Sequence, residues 1–512
     1  MVATQYDPRA HGALCDKCPL NGLVVVPPSP ATKFPKKLAI VAEGPGGSEV
    51  VSLKPLIGPS GFKLDEVLRG WKISRASCHV TNATLCRFPR TMKAADRNLA
   101  VECCRPRLVR ELKAQPARNI LALGSHAMKA TAGKLKIMSW MGAPMQGIDG
   151  LEDFYIVGSV HPAHVLRNPH YNVVLQLFAA RAYDAKTHFN ALQWPKIVVH
   201  PGQEMLDALN SLNHEAVVGV DVESAGLDPM SAPLLCVGLA DGKTAVSVPW
   251  PPPSEEFRQK IIHLLATKKV LTHNGQHDIL ALKYNGLVAR NYFDTLLAHA
   301  VIAPRMPHNL GFVAIMEYIM PRWKAEFKIE GDTKGIDTFI RRDALELRTY
   351  NAKDAWMTRM LYWALEPKLY KVNNGITLFN EKMALAEVAM KMRERGVLVD
   401  VAARDTWRTQ LSDKMSAISD KCRQLMPGEE YSLGASGTHG SLKKLFFEHF
   451  GLLPTRHSEE TGEPSLDGAA LQDIMIANPN KIGDIARCIY DFRGAAKLLQ
   501  TYVDGLPTIE RD

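Results

Sequence analysis

At 512 residues the chain is longer than one ordinary core accommodates, so two to four domains are expected. Its composition, 46% hydrophobic and 22% charged, is that of a globular chain. No apolar run approaches the ~20 residues of a membrane span, and the polar start (residues 1–11) is not a signal peptide. Membrane-spanning and secreted classes are thereby disfavoured, and the expected location is cytoplasmic. The formal charge of +9 is uneven: residues 1–195 carry 25 Lys and Arg against 13 Asp and Glu, a surplus of 12 that leaves about −3 for the rest. One end of the chain therefore suits a phosphate backbone.

In chain order, the cysteines come first. Six of nine precede residue 105: Cys15, Cys18, Cys78, Cys86, Cys103 and Cys104. In a reducing compartment such clustering suggests metal rather than disulfides. Cys236, Cys422 and Cys488 are isolated and read as buried apolar side chains. Residues 38–47 read as a buried strand entering a glycine-rich turn, and further strands are predicted at 78–82, 120–124 and 154–160, the last ending in His161-Pro162. α/β sheets place their sites at the carboxyl ends of such strands. The basic bias ends near Trp194-Pro195, a second α/β block opens with the apolar run 216–222, and long amphipathic helix is expected from about residue 374, as at 378–395.

The second block carries the acidic groups. Asp221 and Glu223 are two apart on a strand and share a face. Asn274 stands four before Asp278, and Tyr350 and Asp354 lie one helical turn apart. Four carboxylates and a phenol in this order can hold two divalent cations, Mg²⁺ or Mn²⁺, against a phosphodiester and aim a water at it. At these residues, and at the segments 293–299 and 308–310, the chain resembles the proofreading 3′–5′ exonuclease of family A DNA polymerases, of the type with a tyrosine in its third motif. The resemblance implies a ribonuclease H-like α/β fold. It implies that Asp221, Glu223 and Asp354 hold one metal, that Asp221 and Asp278 contact the second, and that Tyr350 positions the nucleophile.

The amino-terminal motifs are Ala42-Glu43-Gly44-Pro45-Gly46, residues 55–61, Thr81-Asn82 and residues 161–169. Together they resemble the uracil-DNA glycosylase superfamily, closest to its iron–sulfur family 4. By that resemblance Asn82 reads the edge of a flipped base, His161 hydrogen-bonds its carbonyl and Glu43 positions water. Cys15, Cys18, Cys86 and Cys104 would ligate a [4Fe–4S] cluster, with Cys103 as an alternative fourth ligand and zinc as an alternative metal. The chain departs from the pattern at Ala42, at Val50 and at Leu56, where an aromatic platform for the base is expected. An active base-excision site and a glycosylase-like domain kept for binding DNA both remain open.

Residues 380–512 carry the runs 390–400, 432–453, 461–465 and 493–503, which look like the region that leads family A polymerases from exonuclease into thumb. The expected organisation is α/β multidomain: a glycosylase-like domain at 1–195, an exonuclease at 196–373 and a mostly helical thumb-like region at 374–512. The expected function is DNA replication or repair, as part of a split or truncated family A DNA polymerase, with DNA as partner (single-stranded 3′ ends and primer-template) and, in the split case, a separate polypeptide that carries palm and fingers. A non-catalytic DNA-binding subunit and an active uracil-DNA glycosylase are the alternatives.

Overall fold

The computed structural model describes residues 6–188, 192–321, 323–324, 344–426, 433, 440–457 and 464–505. Two sheets organise the unit that ends at Glu394. Continuous apolar runs suit strands covered on both faces, and β1 (Leu38–Ala42) is buried throughout. It lies inside a five-stranded sheet of order β2-β1-β3-β5-β4, with β2 (Cys78–Asn82), β3 (Asn119–Leu123), β4 (Pro144–Gln146) and β5 (Tyr155–Ser159). All neighbours in it are parallel except β4 and β5. Ala42 is in register with Asn82, so Glu43, Asn82, Gly124 and His161 leave neighbouring strands along one carboxyl edge.

The second sheet has the order β11-β10-β7-β8-β9-β6. Its centre is the antiparallel run of β7 (Val217–Ser224), β8 (Leu234–Ala240) and β9 (Thr244–Pro249). β10 (Lys269–Thr272) and β11 (Asn291–Asp294) extend it in parallel from β7, and β6 (Lys196–Val198) pairs in parallel with β9. The helix Ala344–Leu369 buries Leu347, Asn351, Asp354, Ala355, Thr358, Leu361 and Leu365. That spacing of three and four defines one face, which packs on β7, β8 and β9. Glycines set how close it comes: a Cβ on Gly219 would lie 2.0 Å from the carbonyl oxygen of Ala355, and one on Gly238 would lie 2.9 Å from that of Asn351.

The two sheets share a core. One apolar cluster includes Leu38, Ile40 and Phe178 from the first and Phe293, Phe312 and Trp356 from the second. Arg181, buried, reaches across: it donates to the carbonyls of Ile315 and Met316, the latter at 3.2 Å, at the carboxyl end of the helix Leu310–Glu317. Burial pulls its guanidinium down to about 10, and the helix-end carbonyls give it acceptors. Met1–Glu394 form one compact unit and Arg395–Asp512 another, so residue 195 lies inside the first.

The second unit is helical, with Val401–Leu425, Gly468–Ala477 and Lys481–Leu498 packed around Phe446, Leu471, Ile485 and Ile489. Parts of the expected thumb-like runs, 432, 434–439 and 461–463, lie outside the described residues. The helix expected at 378–395 spans Gly375–Arg395. The architecture is that expected, α/β sheets followed by a helical segment, and no described helix is long and apolar enough to cross a membrane.

Gly219→Ala forces the long helix off β7. The expected loss is about 2 kcal/mol or more of unfolding free energy, as for other overpacked cores, read from denaturant midpoints. A change under ~0.5 kcal/mol would show that the helix has room to spare.

Candidate functional site

β7 carries the first acids because a strand alternates its side chains: Val220 and Val222 face the core while Asp221 and Glu223 face the long helix. Asp354 meets them from that helix. One carboxylate oxygen from each of Asp221, Glu223 and Asp354 lies within 4.8 Å of the others. Asp278, on the helix Gln276–Tyr284, stands outside this group of three. Its Oδ1 accepts from the Val222 backbone N–H at 3.0 Å, between the two β7 acids in sequence. The loop before that helix is shaped by Asp294, which accepts from Asn274 N (3.1 Å) and Gly275 N (2.8 Å).

Asp278 and Asp354 are buried and Asp221 and Glu223 half-buried, and the charges repel. Burial, then Asp354 and Asp278, hold Asp221 well above the usual carboxylate range. Burial and Asp354 push Glu223 up to about 8. Burial brings Asp278 to about 7 against the opposing Val222 N–H. Such a set is incomplete without cations, and an all-oxygen donor group suits a hard divalent ion.

Four residues that no motif assigned complete the site. Asn351 Nδ2 donates to the backbone oxygen of Asp221 (3.0 Å) and to its Oδ2 (2.8 Å), and Ser247 Oγ donates to Asn351 Oδ1 at 2.6 Å. Lys324 Nζ donates to the Tyr350 hydroxyl at 2.7 Å and to Asp354, and Trp323 Nε1 donates to Asp354 at 2.6 Å. The Asn351 signal was its place between Tyr350 and Asp354; Lys324 and Trp323, thirty residues upstream, gave none.

At the edge of the first sheet, Glu43 Oε1 accepts from the His126 backbone N–H at 3.1 Å and lies 3.3 Å from His126 Nδ1. Burial would raise this carboxyl, but the bonds from His126 win and hold it below its usual range. His161 Nδ1 accepts from Ala163 N at 3.1 Å, which leaves the proton on Nε2 as a donor. Burial lowers its pKa, so it is a neutral donor. Asn82 is fully buried, yet among the described residues neither its Oδ1 nor its Nδ2 has a partner. An amide so placed costs on the order of 1–3 kcal/mol per group. Leu56, where an aromatic was expected, is buried in the core with φ 51°.

Cys15, Cys18, Cys86, Cys103 and Cys104 line one cavity of about 350 Å³. Burial and the neighbouring thiols push Cys86 up to about 12. Arg107, wholly buried on the helix Ala94–Lys113, donates to Cys104 Sγ (3.3 Å), to the Asn82 and Ala83 carbonyls (2.9 and 3.1 Å) and to Glu111 (2.6 Å). Cys104 and the Asn82 backbone thus share one cation.

Residues 31–184 match the uracil DNA glycosylase superfamily. Over 168 residues the chain is 31% identical to the type-4 uracil-DNA glycosylase of Pyrobaculum aerophilum, covering 30% of this chain and 81% of that protein. The chain belongs to the uracil-DNA glycosylase superfamily. Residues 197–370 match a 3′-5′ exonuclease family, that of family A DNA polymerases. The chain is 28% identical over 279 residues to DNA polymerase I of Rhizobium leguminosarum (54% of this chain, 26% of that one) and 24% identical over 258 residues to the DNA polymerase of Escherichia phage T5 (46% and 30%). It spans about a quarter to a third of the length of these polymerases.

Metal-free protein should be less stable at pH 8 than at pH 5. Glu223 and Asp278 have folded pKa values, about 8 and about 7, above the roughly 4 of unfolded carboxyls. Their protonated forms therefore favour the fold; this contribution is complete below pH ~4 and is lost as pH rises through 7 to 8. Thermal midpoints of chelator-treated protein should fall over that range, with Mn²⁺ restoring more at pH 8. Midpoints level from pH 5 to 8 would contradict it.

Proposed function

We propose that this chain is a metal-dependent 3′–5′ DNA exonuclease of DNA replication or repair, built on a glycosylase-like domain that binds DNA. The observation that carries this is the close oxygen donor set of half-buried Asp221 and Glu223 with buried Asp354, and Asp278 tied to the strand between the first two. Asp221, Glu223 and Asp354 would hold one Mg²⁺ or Mn²⁺, and Asp221 and Asp278 the second. When bound, these ions neutralise the phosphodiester and activate water. Tyr350 orients the attacking water; its oxygen bonds to phosphorus, the bond from phosphorus to the 3′ oxygen breaks, and that oxygen takes a proton as a nucleoside 5′-monophosphate leaves. Asn351 fixes the carboxylate plane of Asp221. We assign residues 1–195 to base and duplex contact, 196–373 to the nuclease and 374–512 to a thumb-like grip.

The cysteine cavity fits a [4Fe–4S] cluster held by Cys15, Cys18, Cys86 and Cys104. Zinc would accept the same four thiolates. A second activity, excision of an altered base, is favoured by one observation. The unpartnered amide of Asn82 has the donor and acceptor that a base edge completes, and the Nε2–H of His161 suits its carbonyl.

Asp221→Ala with Glu223→Ala should reduce Mn²⁺-dependent digestion of a 3′-labelled single strand to the level of a protein-free control. Tyr350→Phe should cost less, about 10²-fold. A double variant that keeps most activity would place the catalytic centre elsewhere.

Purified without air, the protein should contain about four irons per chain. Stoichiometric zinc without iron would overturn the cluster assignment.

A further inference from the structure

Lys324 sits where the nuclease site has most need of a cation. Its Nζ is 2.7 Å from the Tyr350 hydroxyl and touches Asp354 Oδ2. Trp323 takes the other oxygen of Asp354 and is 4% exposed. Its ring is held edge-on by Trp194 at 5.5 Å, and Trp194 packs in turn on Trp356 of the long helix. The backbone that carries Lys324 is therefore anchored at its neighbour, and the ammonium is delivered to Tyr350 and Asp354.

We propose that Lys324 is a catalytic residue of the nuclease: its ammonium binds a non-bridging oxygen of the scissile phosphate and stabilises the charge that grows there as water attacks. The inference rests on the nuclease reading above. An ammonium is a donor only, so the Tyr350 oxygen accepts from Lys324 and the phenolic proton must point away from it. Lys324 thereby fixes the rotor of the residue assigned to orient water. A divalent ion carries twice the charge of an ammonium and outcompetes it for Asp354. Lys324 then stays beside Tyr350, one hydrogen bond from the residue that aims the nucleophile, with donors freed for the phosphate.

The test uses the full chain with Lys324→Met and Lys324→Arg, a 3′-labelled single strand, and Mn²⁺ raised to saturation. Lys324→Met should lower kcat on the order of 10²-fold, the cost of one lost oxyanion donor, with KM within about threefold. Lys324→Arg should recover part of it. Mn²⁺ binding, followed by electron paramagnetic resonance without substrate, should tighten in Lys324→Met because a competitor for Asp354 is gone. Unchanged kcat for Lys324→Met at saturating Mn²⁺ would overturn the proposal, making the lysine a stand-in for the cation and nothing more. Loss of kcat together with weakened Mn²⁺ binding would overturn it too, by placing the defect in the metal site. An unmodified protein inert at every Mn²⁺ concentration is a different failure, seen before any substitution, and sinks the nuclease reading along with this one.

Discussion

Like charges held out of water govern the second sheet. Asp221, Glu223 and Asp354 are brought together by one helix pressed onto the sheet, with Asp278 added from a second helix, and that pressing depends on Gly219 and Gly238 having no side chain. The packing of the apolar face supplies the free energy; the acids spend part of it. Burial and mutual repulsion raise Asp221, Glu223 and Asp278 far from their usual range, which is the signature of a site that a cation completes. Lys324 is what the chain itself offers toward that charge. Burial would lower its pKa, but Asp354, Tyr350 and Asp221 more than reverse this.

The first sheet treats buried charge in the opposite way. Glu111 is just as enclosed, but Arg107 and His79 lie against it, and its pKa falls to about 2 in spite of burial. The charge of Glu111 is met from within the chain. What waits is neutral, the amide of Asn82, unpartnered on both atoms. The contrast separates support from site: Arg107 and Glu111 hold the strand end and Cys104 in place, and Asn82 is left open beside them.

The strands were legible because their signals are local. Alternation put Asp221 and Glu223 on one face of β7, and the unbroken apolar run 38–42 marked a strand covered on both sides. Helical spacing put Tyr350 and Asp354 one turn apart. What was not legible depends on contacts across the chain. Lys324 is thirty residues from Asp354 with no periodic relation to it, and His126 reaches Glu43 from 83 residues away. Leu56 could be seen to replace an aromatic, but not that its backbone is left-handed and its side chain part of the core. An apolar residue in a pattern reports that it is buried, not against which sheet.

That last limit decides how the amino-terminal part should be understood. A change in charge near residue 195 reads as a boundary between beads, yet the apolar cluster passes through it and Arg181 binds the end of the helix Leu310–Glu317. Seven residues beyond that helix the chain reaches Lys324. Deleting the basic part would therefore strip the nuclease of its side of the shared apolar cluster and of the clasp at the root of the segment carrying Trp323 and Lys324. The effect on DNA binding could not then be assigned to lost charge. Neutralising exposed lysines singly separates the two, because a surface Lys→Gln leaves the core intact and removes one counterion-releasing contact at a time. The salt dependence of DNA binding should fall in steps as lysines are removed, while unfolding midpoints stay fixed.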